Sequence, residues 1–133
     1  MDQRATGPFD VKMTPQPADE YADGATLGRM TLDKQFHGAL EATGKGQMLT
    51  GMGGAKGSAG YVAIERVTGT LNGRQGSFIL QHTGVMDRGA PRLTIAVVPD
   101  SGTDGLQGLA GTMTIDAAAG GKHSYDFKYT LGG

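Results

Sequence analysis

An Asn72-Gly73 pair in the middle of the run YVAIERVTGTLNGRQGSFILQHTG, residues 61–84, constrains this chain more than any other feature. A two-residue type I′ turn needs positive φ at both central positions, and Asn followed by Gly meets that need best. With the turn fixed, the antiparallel register can be counted outward. Leu71 faces Arg74, Val67 opposes Phe78, Glu65 opposes Leu80, and Ala63 opposes His82. These residues share one face, on which Glu65 and His82 are diagonal neighbours. The other face carries Val62, Ile64, Arg66 and Gln81 among Thr and Ser side chains. The first face, with its aromatic and small residues, is the expected interior; the second is the expected wet or subunit-contacting surface.

The rest of the chain is written in the same period. Phe9, Val11 and Met13 alternate with Asp10 and Lys12, predicting a first strand that ends before Pro15. A polar loop to about Gly24 follows. From Leu27 the residues Met30, Leu32 and Phe36 share a face with Lys34, and Gly38 allows a turn into a Gly-interrupted strand over 40–49. The run GMGGAKGSAG, residues 51–60, is expected to be a flexible connection. Beyond the hairpin, residues 92–99 (RLTIAVVP) predict a strand, 100–111 a Gly-rich break, and 112–117 and 123–131 a last hairpin around the AAGG turn. In that final strand His123, Tyr125, Phe127, Tyr129 and Leu131 share a face, with His123 expected to be exposed at the turn. No segment holds a 3.6-residue apolar period for three turns. Seven or eight strands in meander order suit a closed or nearly closed antiparallel barrel.

Composition excludes several classes. The 133 residues predict a single domain over 1–133, long enough to bury a core without staples. The 24 glycines follow no G-X-Y period and punctuate alternating runs, as in strands that bend or pack closely. Twelve basic and thirteen acidic residues, in no long block, leave no footprint for nucleic acid or anionic lipid. The absence of cysteine removes disulfides and thiolate chemistry. The three histidines have no metal-ligand spacing, so no metal is expected. No signal-peptide core or membrane span is visible, which reads as a cytoplasmic protein. The 51–60 run lacks the order of a phosphate-binding loop, and no G-x-S-x-G elbow occurs.

The hairpin run, the turn VVPDSGTDGLQGLAG and the ending KHSYDFKYTL together resemble the bacterial domain-of-unknown-function family 3224. The likeness rests on Glu65-Arg66, on the G-T-L-x-G-R-x-G-S-F hairpin over 69–78, on Gln81-His82, and on the S-G-T-x-x-L-x-G-L-x-G turn over 101–111. The Gly-rich turn is also similar, more distantly, to the signature of allene oxide cyclase and dirigent barrels. The resemblance implies an all-β, eight-stranded, up-and-down barrel that self-associates as a dimer or trimer. It transfers no catalytic residue, because only the turn signature of the cyclases matches.

The chemistry is therefore read locally. An interior carboxylate costs several kcal/mol unless paired, so Glu65 needs a partner, and His82 and Lys34 are the candidates. Burial beside an imidazole would tune Glu65 and His82 as an acid and base pair, the expected catalytic residues. Lys34 is expected to snorkel to the rim, where a cation at the end of an apolar tunnel suits a fatty or aromatic acid. Phe78, Leu80, Tyr125 and Tyr129 complete the expected ligand-binding set with Lys34. The leading expectation is a barrel that binds a small, mostly apolar or amphipathic molecule and performs isomerisation or cyclisation without a cofactor. The alternative is a non-catalytic structural or protein-interaction barrel whose interior polar residues are core or interface hydrogen bonds.

Overall fold

The computed structural model describes residues 2–17, 27–117 and 122–132, and its eight strands close into an antiparallel barrel. In chain order these are β1 (Gln3–Pro15), β2 (Leu27–Phe36), β3 (Leu40–Met52), β4 (Ala59–Leu71), β5 (Arg74–Asp87), β6 (Ala90–Val97), β7 (Leu109–Ala117) and β8 (His123–Leu131). Each strand pairs with the next, and β8 returns to β1 with Tyr129 opposite Gln3 and His123 opposite Phe9. Closure leaves no strand edge unpaired in the sheet order. The all-β up-and-down barrel expected from the alternation is the fold observed. No helix among the described residues is long and apolar enough to cross a membrane.

The Asn72-Gly73 turn adopts the positive φ values its residues favour, 47° and 84°. The register of β4 on β5 is the counted one, with Val67 opposite Phe78, Glu65 opposite Leu80 and Ala63 opposite His82. All six of these side chains are buried. The turn is also tied to its neighbours: the Asn72 amide N–H donates to the Ala39 carbonyl at 2.7 Å, and its side-chain amide donates to the Tyr129 hydroxyl.

Several boundaries differ from the sequence expectations for physical reasons. β1 starts at Gln3 rather than near Phe9, because Ala5 and Gly7 continue the inward period with side chains too small to signal it. The 51–60 run is not a loose linker. Met52 pairs with Ala59 in the ladder, and the residues between them form a turn in which Gly53 N–H donates to the Ser58 carbonyl. That turn docks on the β5–β6 connection through Gly89 N–H to the Gly57 carbonyl and Arg88 N–H to Ser58 Oγ. β7 begins at Leu109, inside the expected Gly-rich break. His123 is half-buried, its ring 5.2 Å from that of Phe9, because it takes an inward position on β8. The expected polar loop before Leu27 and the AAGG turn lie largely outside the described residues.

The interior divides into two halves. The end carrying the β2–β3 and β4–β5 turns is filled by Phe36, Phe78, Phe127, Leu40, Leu71 and Leu80, all fully buried. Phe127 stacks between Phe78 and Tyr129 at 5.7 and 5.2 Å. The opposite half is open by comparison, with Met30, Met48, Tyr61 and Leu93 only partly covered.

The barrel has one thin seam. β6 and β7 pair through two residues only, Ile95 with Met113 and Ala96 with Thr112, and β6 ends at Val97 opposite Leu80, so the start of β5 outruns its partner strand. The Ser101–Thr103 segment supplies the missing bonds. Ser101 Oγ accepts from Ile79 N–H at 3.1 Å, Thr103 Oγ1 accepts from Ser77 N–H at 3.0 Å, and Thr103 N–H donates to the Ser77 carbonyl. A 3-10 turn (Asp104–Leu106) then drops Leu106, fully buried, onto Gly76 in the closed end. Replacing Thr103 with Val keeps shape but strands a partly buried donor, so stability should fall by about 1–2 kcal/mol. Urea unfolding should show a lower midpoint at unchanged slope, with faster amide exchange confined to Ser77 and its neighbours.

Candidate functional site

Glu65 lies on β4 at the boundary of the two halves with 0% exposure. Its Oε1 takes two bonds, from Lys34 Nζ at 2.8 Å and from His82 Nε2 at 2.6 Å. Lys34 on β2 and His82 on β5 are themselves 6% and 3% exposed. The three charges and dipoles therefore form one buried cluster spanning four adjacent strands.

His82 reaches Glu65 because the hairpin register makes them diagonal neighbours on one face. Lys34 reaches it for a different reason. Side chains on β2 and β4 are separated by an intervening strand, roughly 10 Å in all, and β3 would normally fill that space. At the two inward β3 positions between them stand Gly44, opposite Lys34, and Gly46, opposite Glu65. A Cβ on Gly44 would lie 2.5 Å from Glu65 Oε2 and 3.1 Å from the Phe36 ring, and one on Gly46 would meet the Glu65 backbone. The glycines clear a channel across β3 through which the ammonium and carboxylate meet. Lys34 thus does not snorkel to the rim as expected. Its Nζ sits 5.5 and 5.8 Å from the ring centroids of Phe9 and Phe36, which offset part of its desolvation.

Burial alone would raise the Glu65 pKa, but the His82 hydrogen bond and the Lys34 charge outweigh it and hold the carboxyl below its ordinary value. An ionised carboxylate only accepts, so His82 Nε2 must carry the proton in this bond. In the neutral ring that leaves Nδ1 as a basic nitrogen oriented by a carboxylate, an arrangement able to accept a proton from a bound molecule. Glu65 Oε2, in contrast, is buried with no donor among the described residues. It lies along the direction a Gly44 side chain would take.

The remaining sequence-predicted site residues lie in the closed half. Phe78 and Leu80 pack in its core, and both tyrosine hydroxyls are held by protein partners. Tyr125 Oη donates to the His37 carbonyl at 2.7 Å and accepts from Leu40 N–H at 2.9 Å; Tyr129 Oη donates to Gln3 Oε1 at 3.2 Å. Sequence reasoning singled out Glu65, His82 and Lys34 but missed Gly44 and Gly46, whose i, i+2 spacing on one strand face was the available signal. It also passed over Tyr61, whose hydroxyl environment is raised in pKa by partial burial and by the nearby Glu65 charge. Among the described residues no group of three His, Cys, Asp or Glu is placed to hold a metal.

Fold and site together define a closed antiparallel barrel with a buried Lys-Glu-His cluster at the floor of its open half. The chain belongs to the DUF3224 family, proteins of unknown function, whose pattern it matches over residues 5–129. It is similar over its whole length, and over the whole length of the other chain, to a Shewanella oneidensis protein of unknown function from that family. The two share 51% identity, with a TM-score of 0.92. No curated protein matches the chain. The barrel is consistent with the allene-oxide-cyclase-like and dirigent-like superfamily.

The cluster predicts a strongly non-additive cycle. Glu65→Gln alone leaves Lys34 as an uncompensated buried charge and should cost about 3–5 kcal/mol. Lys34→Met combined with Glu65→Gln removes both charges and should recover most of that loss by urea denaturation. Since the folded Glu65 pKa is depressed, its stabilisation is complete above the ordinary carboxylate value of about 4.3. It is lost as pH falls through the lowered folded value, and the double variant should show a shallower acid limb in stability against pH.

Proposed function

We propose that this protein binds a small, largely apolar molecule in the open half of the barrel, with the Lys34–Glu65–His82 cluster as the polar floor of the site. The observation that carries this reading is the asymmetry of the interior. One half is packed to full burial, whereas the other exposes inward side chains directly beside a buried imidazole and carboxylate. Interiors evolved only for stability are better served by apolar residues of similar volume than by an ion pair. His82, oriented by Glu65, supplies one basic nitrogen, so cofactor-free isomerisation or cyclisation through proton transfer is the reaction class compatible with the site. A structural reading is favoured by one fact: Lys34, Glu65 and His82 largely satisfy one another.

Native mass spectrometry of the purified protein, followed by denaturing extraction, should reveal a small-molecule adduct. His82→Gln retains a donor to Glu65 while removing the basic ring nitrogen; it should keep the melting temperature within a few degrees and lose the adduct. An unliganded wild-type protein with unchanged behaviour in the variant would support the structural reading.

We further propose that the chain self-associates through the outer face of β2–β5. Leu27, Leu49, Val62, Ile64 and Val85 there are 46–56% exposed; Leu49 and Val62 are register partners, Ile64 follows Val62 on the same face of β4, and Leu27 and Val85 end the adjacent row across Gly51 and Gly60. Together they present an apolar patch on the order of 400 Å², at the scale where monomer surfaces become interaction sites. A second copy is the occupant this patch suits, since its Gln47 and Gln81 borders supply self-complementary amides. Light scattering on a sizing column should show an oligomer for the wild type and a monomer for Ile64→Asp, with barrel circular dichroism retained.

A further inference from the structure

The methionines of this chain are segregated. Met13, Met30, Met48, Met52, Met86 and Met113 are all the methionines after the first residue, and each takes an inward register position on its strand. Met30 and Met48 line the open half, Met113 is buried at its boundary with the closed half, and Met13, Met52 and Met86, 40–57% exposed, stand at the rim. The closed half is filled instead by Phe and Leu, and the outer face carries Leu, Val and Ile. A core that needed only filling would use the better-defined rotamers of the branched and aromatic residues, as the closed half does. Unbranched, polarisable thioethers suit a wall that adapts to a bound molecule, and they make favourable contacts with aromatic ring edges.

Tyr61 stands among them. It pairs with Gly84 across β4 and β5, and a Cβ on Gly84 would lie 2.1 Å from the Tyr61 ring. The strand thus carries no side chain at the position the Tyr61 ring occupies. Unlike the hydroxyls of Tyr125 and Tyr129, which the protein itself engages, Tyr61 is half-buried, on the same inward face as Glu65 and next to His82 in register. Partial burial and the Glu65 charge keep it a neutral phenol, able to donate.

We propose that the molecule bound in the open half is flat and polarisable, an aromatic or conjugated compound carrying one hydroxyl or carbonyl group. Its ring system lies among Met30, Met48 and Met86 and against the Tyr61 ring, and its polar group hydrogen-bonds to Tyr61 Oη and His82. This inference rests on the ligand-binding reading above and names the class of ligand for that site. Tyr61 is a binding residue under this assignment, and the methionines set the preference for unsaturation over a saturated body of equal size.

Isothermal titration of the full-length protein with 2-naphthol and with decahydro-2-naphthol tests it, because the two probes share size and hydroxyl but differ in aromaticity. The aromatic probe should bind at least about tenfold more tightly. Met30→Leu with Met48→Leu should narrow that gap, and Tyr61→Phe should weaken binding of 2-naphthol about five- to tenfold, each at a near wild-type melting temperature. Equal affinity for the two probes overturns the aromatic preference and leaves the ligand-binding reading intact. An unchanged affinity in Tyr61→Phe overturns the role of the hydroxyl. If neither probe binds while native mass spectrometry recovers another molecule, the assigned class fails and the site stands; if no molecule is recovered either, both fail.

Discussion

A carboxylate with no exposure to water at the middle of a barrel imposes conditions on everything around it. Left alone, Glu65 would protonate or destabilise the fold by several kcal/mol. Its ionisation is maintained by a donor on the neighbouring strand and a cation two strands away, and each requirement is met by a different device. The first needs a hairpin whose register cannot slip, which the Asn72-Gly73 turn enforces. The second needs a strand with no side chains at two inward positions, which Gly44 and Gly46 provide. Lys34 is then held between Glu65 and two aromatic rings. Local backbone chemistry, sheet register and site electrostatics are in this sense one constraint.

The same economy appears at the β6–β7 seam. β6 meets β7 through only two residue pairs and stops opposite Leu80 of β5, and past that point the hydroxyls of Ser101 and Thr103 bond to the β5 backbone where a strand would otherwise pair. The S-G-T-x-x-L run is therefore a structural element, and its Leu106 caps the packed end. Serine and threonine suit this task because their oxygens reach backbone donors within a short span. The consequence for the interior is direct: Leu106 and the residues before it seal one end of the barrel with the chain itself.

Much of this was legible in the chain, and the limits have physical causes. Asn72-Gly73 fixes both the face and the offset of Glu65 and His82, so their contact could be counted. Lys34 could be assigned to an inward face but not to its partner, because no turn signal as strong as Asn-Gly sets the β2–β3 register, and an isolated strand pattern says nothing of a carboxylate two strands away. The fate of Tyr125 was illegible for a similar reason. Its hydroxyl bonds to His37 and Leu40, residues more than eighty positions distant, and only barrel closure brings them together. Residues 51–60 read as a linker because a glycine-rich run carries no apolar period, whereas Met52 pairs with Ala59 and the turn between them uses Gly57 at a positive φ of 80° packed against Gly89.

Closure between β1 and β8 carries one more implication. Since each strand pairs with its sequence neighbours and the last pairs with the first, the connectivity is that of a ring interrupted once, and no strand holds a privileged place in the cycle. The pairing of Gln3 with Tyr129 is the one ladder that must be formed between distant parts of the sequence; all the others join chain neighbours. The largest loop-closure entropy is therefore concentrated in that one ladder. Where the ring is interrupted determines which strand pair closes the longest loop, and moving the interruption would relocate that cost while keeping the strand order of the finished barrel.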